Sequence, residues 1–265
     1  MRIIATCDLH YDLLPAQETK AFRSFVADMA AQHADVLLLA GDTIGLDSHR
    51  LPECLDMLAP VAPHKLVVLG NHEYWSHGRD TQAQIDTLSR LFAANGAHLL
   101  DSSPYIIGPI GFAGNSGWYD YSFGDILTGT ENDYATKRYS GRVIWNDARY
   151  VSLGKSDAAF AKELTDRLDK DLVWLSDQPP VKHLVAVTHH LAFPQMLWPR
   201  CQGVYNFIRA FMGSRKLGDM LQQHSMLRYH VCGHTHRYAR TQAGALTSIN
   251  PGSTYQKKRF VLFDV

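Results

Sequence analysis

The chain carries 14 histidines in 265 residues, and many of them stand beside carboxylates and glycines. Asp8-x-His10, Gly41-Asp42, Gly70-Asn71-His72-Glu73, Thr188-His189-His190 and Gly233-His234-Thr235-His236 form five such clusters. Imidazole is the commonest metal-binding side chain and titrates near neutrality. Joined by carboxylate and amide oxygens and no thiolate, it suits manganese, iron, zinc, cobalt or nickel, and affinity order alone does not choose among them. A single D-x-H or G-D pair reads as a turn or a helix cap. Five clusters in order, each closing a stretch that reads as a strand, point to one metal site. A glycine beside a ligand lets the backbone turn sharply and approach closely.

Those stretches are the elements that must place the clusters. Residues 2–7, 35–40, 65–69, 183–188 and 227–232 are short runs rich in leucine and β-branched residues. Between the first of them, apolar spacings of three and four predict helices. Phe22, Phe25, Val26 and Met29 mark one within about 17–33; residues 51–60 form a short one; and 81–94 turns Ile85, Leu88, Leu91 and Phe92 inward before Asn95-Gly96 stops it. Phe160, Leu164, Leu168, Leu172 and Leu175 mark a helix over 157–175, closed by Pro179-Pro180. This alternation predicts an α/β domain, in which ligands gather at the carboxyl ends of the strands. Residues 98–114 read as two extended runs, and 227–232, 245–249 and 259–265 as antiparallel pairs. The aromatic-rich stretches 115–150 and 191–213 have no period and are expected to be insertions in a single domain spanning 1–265.

Composition narrows the function. The chain is 46% hydrophobic, and its 26 Lys and Arg are balanced by 26 Asp and Glu. No overall field exists to hold nucleic acid or an anionic membrane. The longest apolar runs, such as 36–40 and 184–187, fall far short of the ~20 residues that span a bilayer. The apolar opening is too short for a signal peptide, so a reduced, cytoplasmic setting is expected. Cysteines 7, 54, 201 and 232 lack C-x-x-C spacing and read as free thiols. Cys7 and Cys232, although close to ligand positions, are expected to be packing residues.

Taken together, D-x-H, G-D, G-N-H-E, H and G-H-x-H resemble the motifs of calcineurin-like metallophosphoesterases, from Asp8 to His236. Glu73 stands where many members have Asp, which keeps a carboxylate. The resemblance implies two packed mixed β-sheets flanked by helices, a four-layer sandwich with a two-metal centre at one edge that hydrolyses phosphate esters. It also implies the ligands: Asp8, His10, Asp42 and His236 for one divalent ion, and Asp42, Asn71, His189 and His234 for the other, with Asp42 bridging. It places His189, rather than His190, in the second set. Two divalent ions against two aspartates leave the site positive, so it attracts phosphate and activates a hydroxide for attack at phosphorus.

His72 is expected to face the substrate and to stabilise the transition state or donate a proton to the leaving oxygen. Glu73 either orients that imidazole or caps the following turn. The 115–150 insertion mixes four basic with five acidic residues, whereas 191–217 carries Arg200, Arg209, Arg215 and Lys216 and no acid. Arg200 and Arg209 are therefore the candidate substrate contacts. A small phosphomonoester or phosphodiester fits better than duplex DNA, which needs a wider basic stripe. The alternatives are a nuclease with the same centre and a binding scaffold without activity. The aromatic insertions read as a lid's own core, a contact between copies, or a platform for a flat substrate group.

Overall fold

Strand β1 (Arg2–Thr6) is buried at its last four positions and β2 (Val36–Ala40) at all five, the pattern of strands covered on both faces. In the computed structural model, which describes residues 1–15, 19–76, 80–124, 128–199 and 203–265, these strands lie at the heart of the first of two mixed sheets. β1, β2, β3 (His64–Val68) and β4 (Ala97–Leu99) run parallel. The second sheet has β5 (Tyr105–Ile107) at one edge, antiparallel to β6 (Ile110–Asn115). A small separate hairpin, β7 (Arg138–Tyr139) and β8 (Val143–Ile144), belongs to neither sheet. From β6 the second sheet continues through β9 (His183–Thr188), β10 (Leu227–Val231) and β12 (Leu246–Asn250), all parallel, to β11 (Ala239–Ala243), antiparallel at the far edge. The last strand, β13 (Phe260–Asp264), returns to the first sheet and pairs antiparallel with β1.

Period-two alternation divides the apolar side chains between two cores. Ile3, Ala5, Val36, Leu38 and Val68 pack with Phe112, Val185, Val187 and Val231 between the sheets. Ile4, Leu37, Leu39 and Val67 belong to the helix-side core with residues of α1 (Thr19–Ala30), α2 (Leu51–Leu58) and α3 (Thr81–Ala94). On the second sheet, α6 (Asp157–Ser176) buries Leu164, Leu168, Leu172 and Leu175. The result is the expected four-layer sandwich. Among the described residues no helix is long and apolar enough to cross a membrane. Cys7, Cys54 and Cys232 are buried free thiols; Cys201 lies outside the described residues.

Three expectations need correction. Residues 98–114 contribute to three strands, because β4 closes the first sheet and the chain then crosses to the β5–β6 hairpin of the second. β10 is not one of an antiparallel pair: it lies parallel between β9 and β12. The missing partner was β11, whose Ala-Arg-Thr-Gln-Ala sequence reads as a loop because it is a half-exposed edge strand without large apolar residues. The insertions, finally, are ordered where described. The first holds α4 (Glu131–Thr136), the β7–β8 hairpin and α5 (Asp147–Tyr150); the second holds α7 (Val204–Ile208) and leads into α8 (Arg215–Leu221). They share an aromatic core, with Tyr134 stacked on Phe207 at 5.2 Å and Trp145 on Phe211 at 5.4 Å between ring centres.

Candidate metal centre

The carboxyl ends of β1, β2, β3, β9 and β10 meet at one edge of the sandwich, where the five clusters gather. The loops there adopt an uncommon backbone. Asp8, His10, Asp42, His234 and His236 all have positive φ, between 40° and 71°, a conformation that L-residues seldom adopt and that concentrates at functional sites. The surroundings lock it in place. The Asp8 and His10 amides donate to the Gly41 and Asp42 carbonyls at 3.0 and 2.9 Å, and the His234 amide donates to the Asp8 carboxylate at 3.0 Å. Two glycines make room. A Cβ on Gly70 would lie 2.1 Å from Asp42 Oδ1, and one on Gly41 would lie 2.4 Å from His189 Nδ1.

Asp42 sits at the middle of the cluster. Its Oδ2 lies 3.3 Å from His189 Nε2 and 3.6 Å from His10 Nε2, while Oδ1 accepts the His72 amide at 3.0 Å. Burial opposes ionisation of Asp42, but the facing imidazoles of His189 and His72 outweigh it and hold the carboxyl well below its usual range. The same pair works in reverse on His189. Burial disfavours its charge, yet the Asp42 carboxylate raises the imidazole to about 9. Metal-capable nitrogens and oxygens fall into adjoining groups: Asp8 with His10 and His236, Asp42 with His189 and His234, and His10 with Asp42 and His72.

The imidazoles are aimed as ligands require. His189 Nδ1 is 2.9 Å from the Ala40 carbonyl, and its Nε2 faces Asn71 Oδ1 at 3.2 Å and His234 Nδ1 at 3.1 Å. His234 is anchored the other way round, with Nε2 3.2 Å from the Phe211 carbonyl. A backbone carbonyl holding one nitrogen as N–H aims the other at the cluster; on His189 that second nitrogen must first give up the proton that Asp42 favours before it can ligate a metal. His10 is wholly buried, and neither of its nitrogens has a hydrogen-bond partner among the described residues. Burial pushes its imidazole well below the usual value, so it presents a neutral donor. Buried nitrogens without partners, two carboxylates and one amide oxygen are a donor set that fits divalent cations.

His190 Nδ1 points back to the Ser116 carbonyl at 3.1 Å, and the ring is tilted against Trp118 at 4.9 Å and against His234 at 4.3 Å. It belongs to none of the three donor groups. His72 lies at the mouth, its side chain 11% exposed and its Nε2 3.9 Å from Asp42 Oδ2, stacked on the Trp75 indole at 3.7 Å. Glu73 does not orient that imidazole. Its carboxylate accepts the amides of Gly70 at 2.7 Å, Asp42 at 2.9 Å and Ile44 at 3.1 Å, which pins the turns after β2 and β3 against each other. Burial and the nearby Asp42 push its carboxyl up to about 8, against the pull of those amides.

Two residues were missed in the sequence. Asp147, at the end of the first insertion, is buried and accepts four donors: Asn71 Nδ2 at 2.9 Å, Trp75 Nε1 at 2.8 Å, Tyr119 Oη at 2.9 Å and Trp145 Nε1 at 2.7 Å. It holds Asn71 so that Oδ1 faces the cluster. Tyr255 stacks on His10 at 4.7 Å and on His236 at 4.8 Å and remains 44% exposed, so it walls the opposite side of the mouth. Arg200 lies outside the described residues, and Arg209 donates from Nη1 to the Trp198 carbonyl. Arg215 donates to the Ser122 carbonyl at 2.9 Å and Lys216 lies 4.0 Å from Asp120, which ties the start of α8 to the first insertion.

Comparison with known proteins agrees with this geometry. A search of curated proteins gives no match. Among solved structures, the chain resembles a phosphopantetheinyl hydrolase from Mycobacterium tuberculosis with a TM-score of 0.73 at 19% identity, covering 98% of this chain and 95% of that one. It resembles a dimetal phosphatase from Danio rerio with a TM-score of 0.57 at 17% identity, covering 99% and 91%. Both likenesses are of fold. The sequence profile of calcineurin-like phosphoesterases matches residues 1–238, nearly the whole chain and all five clusters. With two mixed sheets, the motifs in order and a shared strand-end site, the chain belongs to the calcineurin-like phosphoesterase family.

Proposed function

We propose that the protein is a metal-dependent hydrolase of small phosphomonoesters or phosphodiesters. The observation that carries this reading is Asp42 Oδ2, placed within 3.6 Å of imidazole nitrogens from both sides of the cluster. Asp8, His10, Asp42 and His236 would hold one divalent ion and Asp42, Asn71, His189 and His234 the other. When bound, such a pair supplies the positive charge that lowers the pKa of an attacking water and stabilises the phosphoryl oxygens. The protein's own groups do the rest. His189 and His234 are fixed by carbonyls of the framework, Asn71 by Asp147, and the amides of His72 and His234 hold the two aspartates in register. His72, at the mouth, is placed to donate a proton or hydrogen bond to the leaving oxygen or to a phosphoryl oxygen. Arg209 keeps a supporting role in this reading through the Trp198 wall.

The test is reconstitution. Protein stripped of metal and titrated separately with manganese, zinc, iron, cobalt and nickel is expected to bind two ions per chain with at least one of them. Loaded in that way, it is expected to hydrolyse simple aryl mono- or diesters. Full loading without turnover on any ester would leave a binding scaffold; failure to bind two ions would remove the two-metal centre.

A further inference from the structure

Beside the centre, on the His234 side, lies a cleft of about 470 Å³ walled by Trp145, Trp198, Tyr205, Ile208 and Met212. Both insertions build it. His234 belongs to cleft and centre alike: its Nδ1 is 3.1 Å from His189 Nε2, and its ring stands edge-on to Trp145 at 5.8 Å. Among the described residues, the lining carries no Lys, Arg, Asp or Glu. Two of the aromatic walls are held in place. Trp145 is fixed by its hydrogen bond to Asp147 and by stacking on Phe211 at an interplanar angle of 7°, and the Trp198 backbone is held by Arg209.

We propose that this cleft receives the organic group of the substrate, and that this group is uncharged and apolar, with an aromatic ring preferred. The proposal rests on the phosphoesterase reading and narrows it to a class of ester. The argument is one of continuity and polarity. A phosphate held among the histidines has its ester group within reach of the cleft that shares His234. That cleft offers indole and phenol faces for stacking and apolar side chains for burial. Among the described residues the lining offers no cation to meet the charge of the next phosphate of a nucleic-acid strand, which would enter at a large desolvation cost. Pre-set aromatic walls also reduce the entropy lost on binding, since little must be ordered when the ligand enters.

The test holds the leaving group constant and varies the other ester group, comparing phenyl p-nitrophenyl phosphate with methyl p-nitrophenyl phosphate on the metal-loaded enzyme. Relative to their uncatalysed rates, the phenyl ester is expected to show a kcat/KM at least tenfold higher. Trp198→Ala should cut that ratio at least threefold, mainly through KM. Tyr205→Ala should lower it in the same direction; Tyr205 is 59% exposed, so this change tests the wall without threatening the fold. Calorimetry with phenylphosphonate and methylphosphonate provides a binding readout independent of turnover, with tighter binding of the phenyl compound expected. Equal turnover of the two esters with KM untouched by both substitutions, or a phenyl preference untouched by both, overturns the cleft assignment while leaving the hydrolase intact. No turnover of either diester or of the monoester p-nitrophenyl phosphate, combined with selective binding of phenylphosphonate, sustains the cleft and overturns the hydrolase. Tighter binding of a short oligonucleotide than of phenylphosphonate would overturn the cleft's apolar class.

Discussion

His72 and Asp147 act on the centre from opposite sides, one toward solvent and the other from within the protein. His72 is stacked on Trp75 and partly exposed at the mouth of the cluster. His72→Ala is expected to lower kcat about 100-fold while two ions per chain remain by elemental analysis, in line with general-acid contributions. Loss of an ion with the imidazole would make it a ligand instead. Asp147 works through Asn71. Asp147→Asn keeps the shape but exchanges one acceptor oxygen for an amide, and is expected to weaken metal binding about 10- to 100-fold, with turnover recovered at saturating metal. Unchanged metal affinity in titrations of the stripped protein would return Asp147 to a purely structural role. That the five clusters would gather at one site was legible, because each is a short polar motif after an apolar run. Asp147 was not, since nothing in an aromatic stretch without period tells which carboxylate will meet four buried donors from distant residues. Glu73 was legible as important but not in what it does, because its place in the G-N-H-E motif suggested a local cap while its partners lie across two turns.

At the scale of elements, the strands that end in the clusters also explain a buried histidine with no part in them. His230, on β10, bridges Thr188 of β9 at 2.9 Å and Ser248 of β12 at 2.8 Å. Burial lowers its imidazole to about 3. In the unfolded chain the same group titrates near 6.5, so between pH 6.5 and 3 the unfolded state takes up a proton that the folded state refuses. Stability contributed above pH 6.5 is therefore lost as pH falls, by about 1.4 kcal/mol per unit within that window. His230→Gln is expected to flatten the fall in denaturation free energy between pH 6.5 and 5 by about that slope. An identical slope in the variant would mean that other groups carry the acid sensitivity. The parallel setting of β10 that creates this bridge was the least legible part of the fold. Its residues alternate like those of any short strand, and direction depends on β11, an edge element with almost no apolar signature. Helices α3 and α6 were legible nearly to the residue, because a long apolar stripe and a capping or stopping residue at each end leave few alternatives.

Across the whole molecule, the apolar side chains divide between two cores, and the sandwich follows from strands that must be covered on both faces. What composition could not convey is how far apart in the chain the centre's walls begin. The amide of His234 reaches the carboxylate of Asp8 across 226 positions, and Thr6 reaches the Arg259 carbonyl across 253. Contacts of such sequence separation cost chain entropy before their contact energy can offset it, so they favour slow folding. During synthesis, Asp8, His10, Asp42 and Asn71 leave the ribosome long before the G-H-x-H segment is made. The first sheet can pair its parallel strands meanwhile, but β13 and the second wall of the centre have yet to arrive. The complete donor set can therefore assemble only once the G-H-x-H segment has been made, and under the two-metal proposal an ion offered to the nascent half would meet only part of its ligands.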